Sequence, residues 1–63
     1  MKIEIKINHN KFSKDSVKTF IVNAKSFYDA VYNFRISGGY DRFYFKNRNT
    51  AINYDWTIHL KRV

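Results

Sequence analysis

Alternating hydrophobic and charged residues near the start of the sequence predict a β-strand. From Lys2 to Ile7, every second residue is an isoleucine and each residue between them is charged. Side chains of a strand point alternately to its two faces, so Ile3, Ile5 and Ile7 are expected on a buried face. Isoleucine also favours extended backbone, because its branched Cβ restricts χ1. The segment is therefore a half-buried strand.

Residues 17–24 predict a second strand, for which two facings compete. One facing directs Phe20, Val22 and Ala24 inward, and the other directs Thr19, Ile21 and Asn23 inward. The first buries more apolar area and avoids an unpaired buried amide, so it is favoured. It leaves Ile21 on the opposite face of the sheet.

The segment from Ser26 to Gly39 predicts a single helix with signals at both ends. Ser26 is a favourable N-cap, and the charge of Asp29 suits the positive helix end. Gly38 and Gly39 supply the left-handed conformation that a helix C-cap often needs. The apolar stripe, at spacing i, i+3, i+4 and i+7, consists of Phe27, Ala30, Val31 and Phe34.

Two further strands and a connection follow the helix. Tyr40–Lys46 alternates again, with Phe43 and Phe45 inward. Asn47–Asn53 is basic and rich in turn-forming asparagine, which predicts a connection. Tyr54–Lys61 is the last strand. Its inward positions are Trp56, Ile58 and Leu60.

The order of these elements is ββαββ, which predicts a single small α+β domain over residues 1–63. Its four strands are expected to be mostly antiparallel, with one helix packed on one face. The polar segment Asn8–Ser16 is a loop, from which Phe12 is expected to fold back onto the core. The first and last strands are the most apolar and are expected in the centre. One short helix covers only part of four strands, so the other sheet face is left open.

Charge is the compositional feature that bears most on function. The 63 residues carry 12 lysines and arginines against 5 acidic residues, a net charge of +7. This balance favours polyanions or acidic protein surfaces as partners. The alternative explanation is the lysine-, asparagine- and isoleucine-rich composition of an AT-rich genome.

Several classes of chemistry lack a sequence signal. There is no cysteine, and His9 and His59 lack ligand-like spacing, so neither a disulfide nor a metal site is expected. No nucleophile elbow, phosphate loop or HExxH pattern occurs, so no enzyme activity and no cofactor are expected. No apolar run approaches the length of a membrane span, and no signal peptide is recognised, which predicts a cytoplasmic protein without membrane contact.

The first candidate site combines basic and aromatic residues on the open sheet face and its loops. Cations there can meet phosphates while rings stack on bases, which suits single-stranded nucleic acid. The same residues also stabilise a sheet through cross-strand pairs without any ligand. The candidate nucleic-acid-binding residues are Lys2, Lys6, Tyr40, Arg42, Tyr44, Lys46, Arg48, His59 and Lys61.

A second candidate site is a protein interface. Tyr28, Tyr32 and Arg35 follow one flank of the helix, and tyrosine and arginine are enriched at interface hot spots. Ordinary packing over the sheet edge is the alternative. A homodimer through the open face is a further expectation. It rests on the apolar Ile21 at that face and on the marginal stability of so small a core.

Two function hypotheses follow from these sites. The first is a small, non-enzymatic nucleic-acid-binding module with low sequence specificity. The second is an accessory protein that binds an acidic surface of a host protein and modulates or inhibits it. The short, basic chain without catalytic motifs is similar to small accessory proteins of bacteriophages. The junction Val22-x-Ala24-x-Ser26-x-x-Asp29-Ala30 resembles strand-to-helix junctions of many small α+β domains and implies architecture only.

Overall fold

The computed structural model describes residues 1–12 and 17–63, which form one helix and five strands. In chain order the elements are β1 (Lys2–His9), β2 (Lys18–Asn23), α1 (Phe27–Gly38), β3 (Tyr44–Asn47), β4 (Thr50–Ile52) and β5 (Trp56–Arg62). The expected α+β class is confirmed. The number of strands is five rather than four, so the order is ββαβββ.

The five strands form one antiparallel sheet in the order β2-β1-β5-β4-β3. The prediction that the first and last strands are central is confirmed, since both have a neighbour on each side. Ile5 lies opposite Leu60 and Ile7 opposite Ile58 in the β1–β5 pair. The most apolar strands thus occupy the part of the sheet that the helix can cover.

The core lies between one face of the sheet and the helix. The predicted alternation in β1 is confirmed, because its three isoleucines are all buried. No polar or charged side chain of the described residues is buried with them. The buried core residues are Ile3, Ile5, Ile7, Ala30, Val31, Phe43, Ala51, Ile58 and Leu60.

The favoured facing of β2 is confirmed by its register. Phe20 lies opposite Ile5, on the face that the helix covers, and its ring is 5.2 Å from that of Phe34. Ile21 lies opposite Glu4 on the open face and is 56% exposed. Because β2 is an edge strand, Phe20 also remains partly exposed.

The helix has the caps that the sequence predicts. The Ser26 side chain accepts a hydrogen bond from the backbone N–H of Asp29 at 3.1 Å. At the other end, Gly39 is left-handed with φ of 71°, and the backbone N–H of Tyr40 donates to the carbonyl of Arg35 at 3.0 Å. These bonds satisfy backbone groups that helix ends leave unpaired.

The fifth strand comes from a segment predicted to be a connection. The asparagines at both ends of residues 47–53 do form turns: Asn47 Oδ1 accepts from the N–H of Asn49, and Asn53 Oδ1 accepts from the N–H of Trp56. Between these turns, the three residues of β4 pair with both β3 and β5. The prediction of one continuous connection was wrong because the short strand lies between two turns.

Two aromatic placements also differ from expectation. Phe12 does not fold back onto the core; it is exposed, with its ring 5.2 Å from that of His9. β1 continues to His9, and residues 13–16 of the predicted loop, including Lys14, lie outside the described residues. Tyr40 precedes β3 and packs against the core instead of lying on the open face.

Tyr40 makes Gly38 a position where only glycine fits. A Cβ on Gly38 would overlap the Tyr40 ring, lying 2.7 Å from its Cδ2 and closer still to its Cε2. The ring has little room to move, because its centroid is 5.2 Å from that of Phe34 and 5.7 Å from that of Trp56.

We therefore expect Gly38→Ala to lower the free energy of unfolding, although alanine usually favours a helix. Overpacking costs about 1–3 kcal/mol, against a helix-propensity gain of about 1 kcal/mol. Urea denaturation of both proteins measures the difference. The matched control is Ser37→Ala at the exposed neighbouring position, where the change should be neutral or slightly stabilising. A more stable Gly38→Ala protein would contradict this packing.

Candidate functional site

A solvent-open groove of about 990 Å³ lies between one flank of α1 and the region around β3. The helix contributes residues from its first turn to its last, among them Tyr28, Val31 and Tyr32. Phe43 and Phe45 lie on the other side. β3 is an edge strand, and all four of its residues are exposed, so the space beside it is open to solvent.

Arginine is the residue type that distinguishes this groove. All four arginines of the chain line it: Arg35, Arg42, Arg48 and Arg62. None of the described lysines lines it, and none of its described lining residues is acidic. We call this site, with the aromatic residues between the arginines, the arginine groove.

Each arginine reaches the groove from a different structural element. Arg35 lies in the last turn of α1, and Arg62 lies on β5 on the same face as Ile58 and Leu60. Arg42 precedes β3, and Arg48 lies in the turn between β3 and β4. Four arginines from four successive parts of the chain therefore line one groove.

Arg35 has one unsatisfied donor. Its side chain is half-buried, and its Nε is buried without a hydrogen-bond partner among the described residues. A buried donor without a partner costs free energy, especially on a charged group.

Exposed aromatic rings lie among the arginines. Tyr28 on the helix and Phe45 on β3 face each other with ring centroids 6.2 Å apart and an angle of 26° between their planes. Tyr28 is 67% exposed and Phe45 is 37% exposed. Tyr32 and Tyr44 are also exposed lining residues. The groove thus presents flat apolar faces beside guanidinium groups.

Known proteins offer no guide to this site. No protein-family model, curated protein or solved structure matches the chain.

The two predicted patches meet in the arginine groove. Tyr28, Tyr32 and Arg35 were predicted as a protein interface, whereas Arg42, Tyr44 and Arg48 were predicted on or beside the open face. The structure brings all six to one groove. Arg42 lies before β3 rather than on a strand of the open face, and Arg48 lies in the turn after β3, as the loop prediction has it. Tyr44 lies opposite Ile52 at the edge of the open face and also reaches the groove.

The other candidates remain outside the groove. Lys2 pairs with Asn23, Lys6 with His59, and Lys61 with Glu4 in the register of the sheet, as expected for outward residues. Lys46 is exposed on β3. Tyr40 is removed from this set by its packing against Trp56 and Phe43. Ile21 lies on β2, at the edge of the sheet opposite to β3.

The sequence does not single out two residues of the groove. These are Arg62 and Phe45, whose ring faces that of Tyr28. The signal for Arg62 was present, because it continues the inward alternation of Ile58 and Leu60. The predicted strand ends at Lys61, whereas β5 ends one residue later, at Arg62. Phe45 was predicted inward, but β3 lies beyond the helix, so its ring faces the groove.

Within residues 1–12 and 17–63, no three His, Asp or Glu side chains are grouped closely enough to hold a metal ion. The helix of the described chain is too short and too polar to cross a membrane.

Proposed function

We propose that this protein is a non-enzymatic module that binds single-stranded nucleic acid in the arginine groove with low sequence specificity. The observation that carries the proposal is the convergence of all four arginines, and of no described lysine, on one groove lined by exposed rings. A cytoplasmic location is part of the same proposal.

The choice of arginine supports a phosphate ligand. A guanidinium group is planar and donates two parallel hydrogen bonds to a phosphate, whereas a lysine ammonium acts as a point charge. Guanidinium planes also stack on aromatic faces and bases. Arginine is therefore suited to a site where phosphates and rings alternate, as they do along a nucleic-acid strand.

The exposed rings favour a single strand over a duplex. Stacking on a protein ring needs a base whose face is free, and in a duplex both faces are covered by neighbouring bases. Every base has such a face, so stacking adds affinity without selecting a sequence. Low specificity is the expected result.

The lysines of the open face have a secondary role in this proposal. They contribute to the net charge of +7, which attracts a polyanion over several ångströms and raises its association rate. Because they lie on the other side of the sheet from the groove, they make few direct contacts with the bound strand.

Adjacent residues of β5 provide a matched test. Arg62 lies on the groove side and Lys61 on the open face, and both are exposed cations. The affinity for a labelled single-stranded oligonucleotide is expected to fall as salt rises. The slope of log affinity against log salt concentration should be about −0.7 for each phosphate contact. Arg62→Gln should reduce that slope by about one contact, about 0.7, and Lys61→Gln should leave it nearly unchanged.

Fluorescence anisotropy at several salt concentrations gives both slopes. A reduced slope for Lys61→Gln and none for Arg62→Gln would place the contact on the open face and contradict the groove. Absence of binding at low salt to both DNA and RNA strands would overturn the proposed function. The +7 charge would then favour an acidic surface of another protein, as for a phage-type inhibitor of a host protein.

A further inference from the structure

We infer that Tyr28 and Phe45 form a clamp that holds one nucleobase between their rings, a subsite that rests on the proposed function. Their near-parallel planes and opposed positions across the arginine groove carry the inference. The subsite takes a single unpaired base, while the surrounding arginines hold the phosphates on either side of it.

The spacing of the two rings is close to what an inserted base needs. Carbon atoms in contact lie about 3.5–4 Å apart, so a planar ring between two others requires about 7–8 Å. The Tyr28 and Phe45 centroids are 6.2 Å apart. A centroid distance includes any sideways offset of the rings, so the gap between their planes is at most 6.2 Å. The rings must separate before a base enters, and rotation of the exposed Tyr28 side chain provides that opening.

The two sides of the clamp differ in mobility. Phe45 is fixed on β3 opposite Ala51 and is only 37% exposed. Tyr28 projects from the first turn of α1 and is 67% exposed, so its rotamer can change within nanoseconds. We infer that Phe45 is the fixed platform and that Tyr28 closes over the base.

The charges around the clamp select a nucleotide over other planar ligands. The described lining residues of the groove include four arginines and no acidic residue, so the lining side chains are positively charged as a set. A base arrives with phosphates on both sides, so one ligand meets both the rings and the cations. A neutral aromatic side chain of a protein would fill the clamp but leave the arginines without partners.

The alternative role of the Tyr28–Phe45 pair is purely structural. It would then be a brace, that is, a contact that stabilises the packing of α1 against the β3–β4 hairpin. Aromatic pairs stabilise proteins without any ligand. The two roles differ in one measurable respect, since only a clamp distinguishes a strand with bases from a strand without them.

The experiment measures binding of the full chain to two labelled single strands by fluorescence anisotropy. One is a DNA oligonucleotide of about eight nucleotides, within the usual range of single-strand binding folds. The other has the same length and charge, but all of its nucleotides are abasic. We expect the intact strand to bind about 5- to 150-fold more tightly, as the usual stabilisation from stacking one base implies.

The variants assign that preference to the clamp. Tyr28→Ala should abolish it, while Tyr28→Phe, which keeps the ring, should retain it. Tyr54→Ala is the matched control, because Tyr54 is 80% exposed and does not line the groove. It should leave the preference unchanged. Phe45→Ala should act as Tyr28→Ala does, and Tyr28→Ala alone decides the outcome if the β3 variant does not fold.

Each other outcome overturns one proposal. Equal affinity of the wild-type protein for the two strands would overturn the clamp and leave nucleic-acid binding in place. An equal loss of affinity for both strands in Tyr28→Ala would identify the ring pair as a brace and also overturn the clamp. Absence of binding to either strand would overturn the proposed function itself.

Discussion

Replacing Ile58 with alanine is expected to lower the free energy of unfolding by about 2–5 kcal/mol. Ile58 is 0% exposed on the central strand, between Ile7 and Ala51 of its two neighbours. A domain of this length has a total stability of about 3–9 kcal/mol. The variant should therefore be largely or wholly unfolded at moderate denaturant concentration.

Ile21→Ala is the matched control for this prediction, because it makes the same chemical change on the open face. Surface substitutions usually change stability by less than about 1 kcal/mol, and Ile21 loses little burial. Urea midpoints of the two variants, followed by the fluorescence of Trp56, make the comparison. If Ile21→Ala proved the more destabilising, the open face of β2 would be buried in solution, as in a dimer through that face.

Neutralising the four arginines together should have the largest effect on binding. With about four phosphate contacts, the wild-type salt slope is expected near −2.8, which is an affinity loss of about 50-fold between about 50 and 200 mM salt. The variant Arg35→Gln, Arg42→Gln, Arg48→Gln, Arg62→Gln should bind weakly at low salt and show a slope near zero.

The control for this variant changes the net charge by the same amount. Substituting Lys2, Lys6, Lys46 and Lys61 by glutamine also lowers the charge by four, from +7 to +3. If long-range attraction alone were responsible, both variants would lose affinity equally. We expect the lysine variant to bind more slowly but to keep most of the wild-type slope. Circular dichroism of both variants checks that the fold is intact.

Local signals explain why the helix was predictable from the sequence. Ser26, Gly39 and the apolar stripe between them are all within one segment, and each acts on its own neighbours. β1 was equally clear because its alternation extends over six residues. By contrast, β4 has three residues, too few for a period of two to be distinguished from a turn-rich connection.

The arginine groove depends on topology and so was only partly predictable. The helix flank and the residues around β3 were each recognised as candidates by their residue types. Their meeting requires β3 to lie at the edge beyond the helix, which no local pattern records. Tyr40 was misplaced for a related reason: its alternation with Arg42 resembles a strand, but the chain leaves the helix there in a turn that directs its ring toward Phe34.

The pairing of β1 with β5 has a consequence for how this protein folds. β1 pairs with β2 next along the described chain, and β3, β4 and β5 form a local meander, but the seam between these two units joins opposite ends of the sequence. Closing so long a loop costs entropy before any contact across it compensates. The isoleucines of β1 can pack early against α1 and β2, which are close in sequence, but their contact with β5 requires that closure. Formation of that seam should set the folding rate, which places Ile5, Ile7 and Ile58 in the folding nucleus.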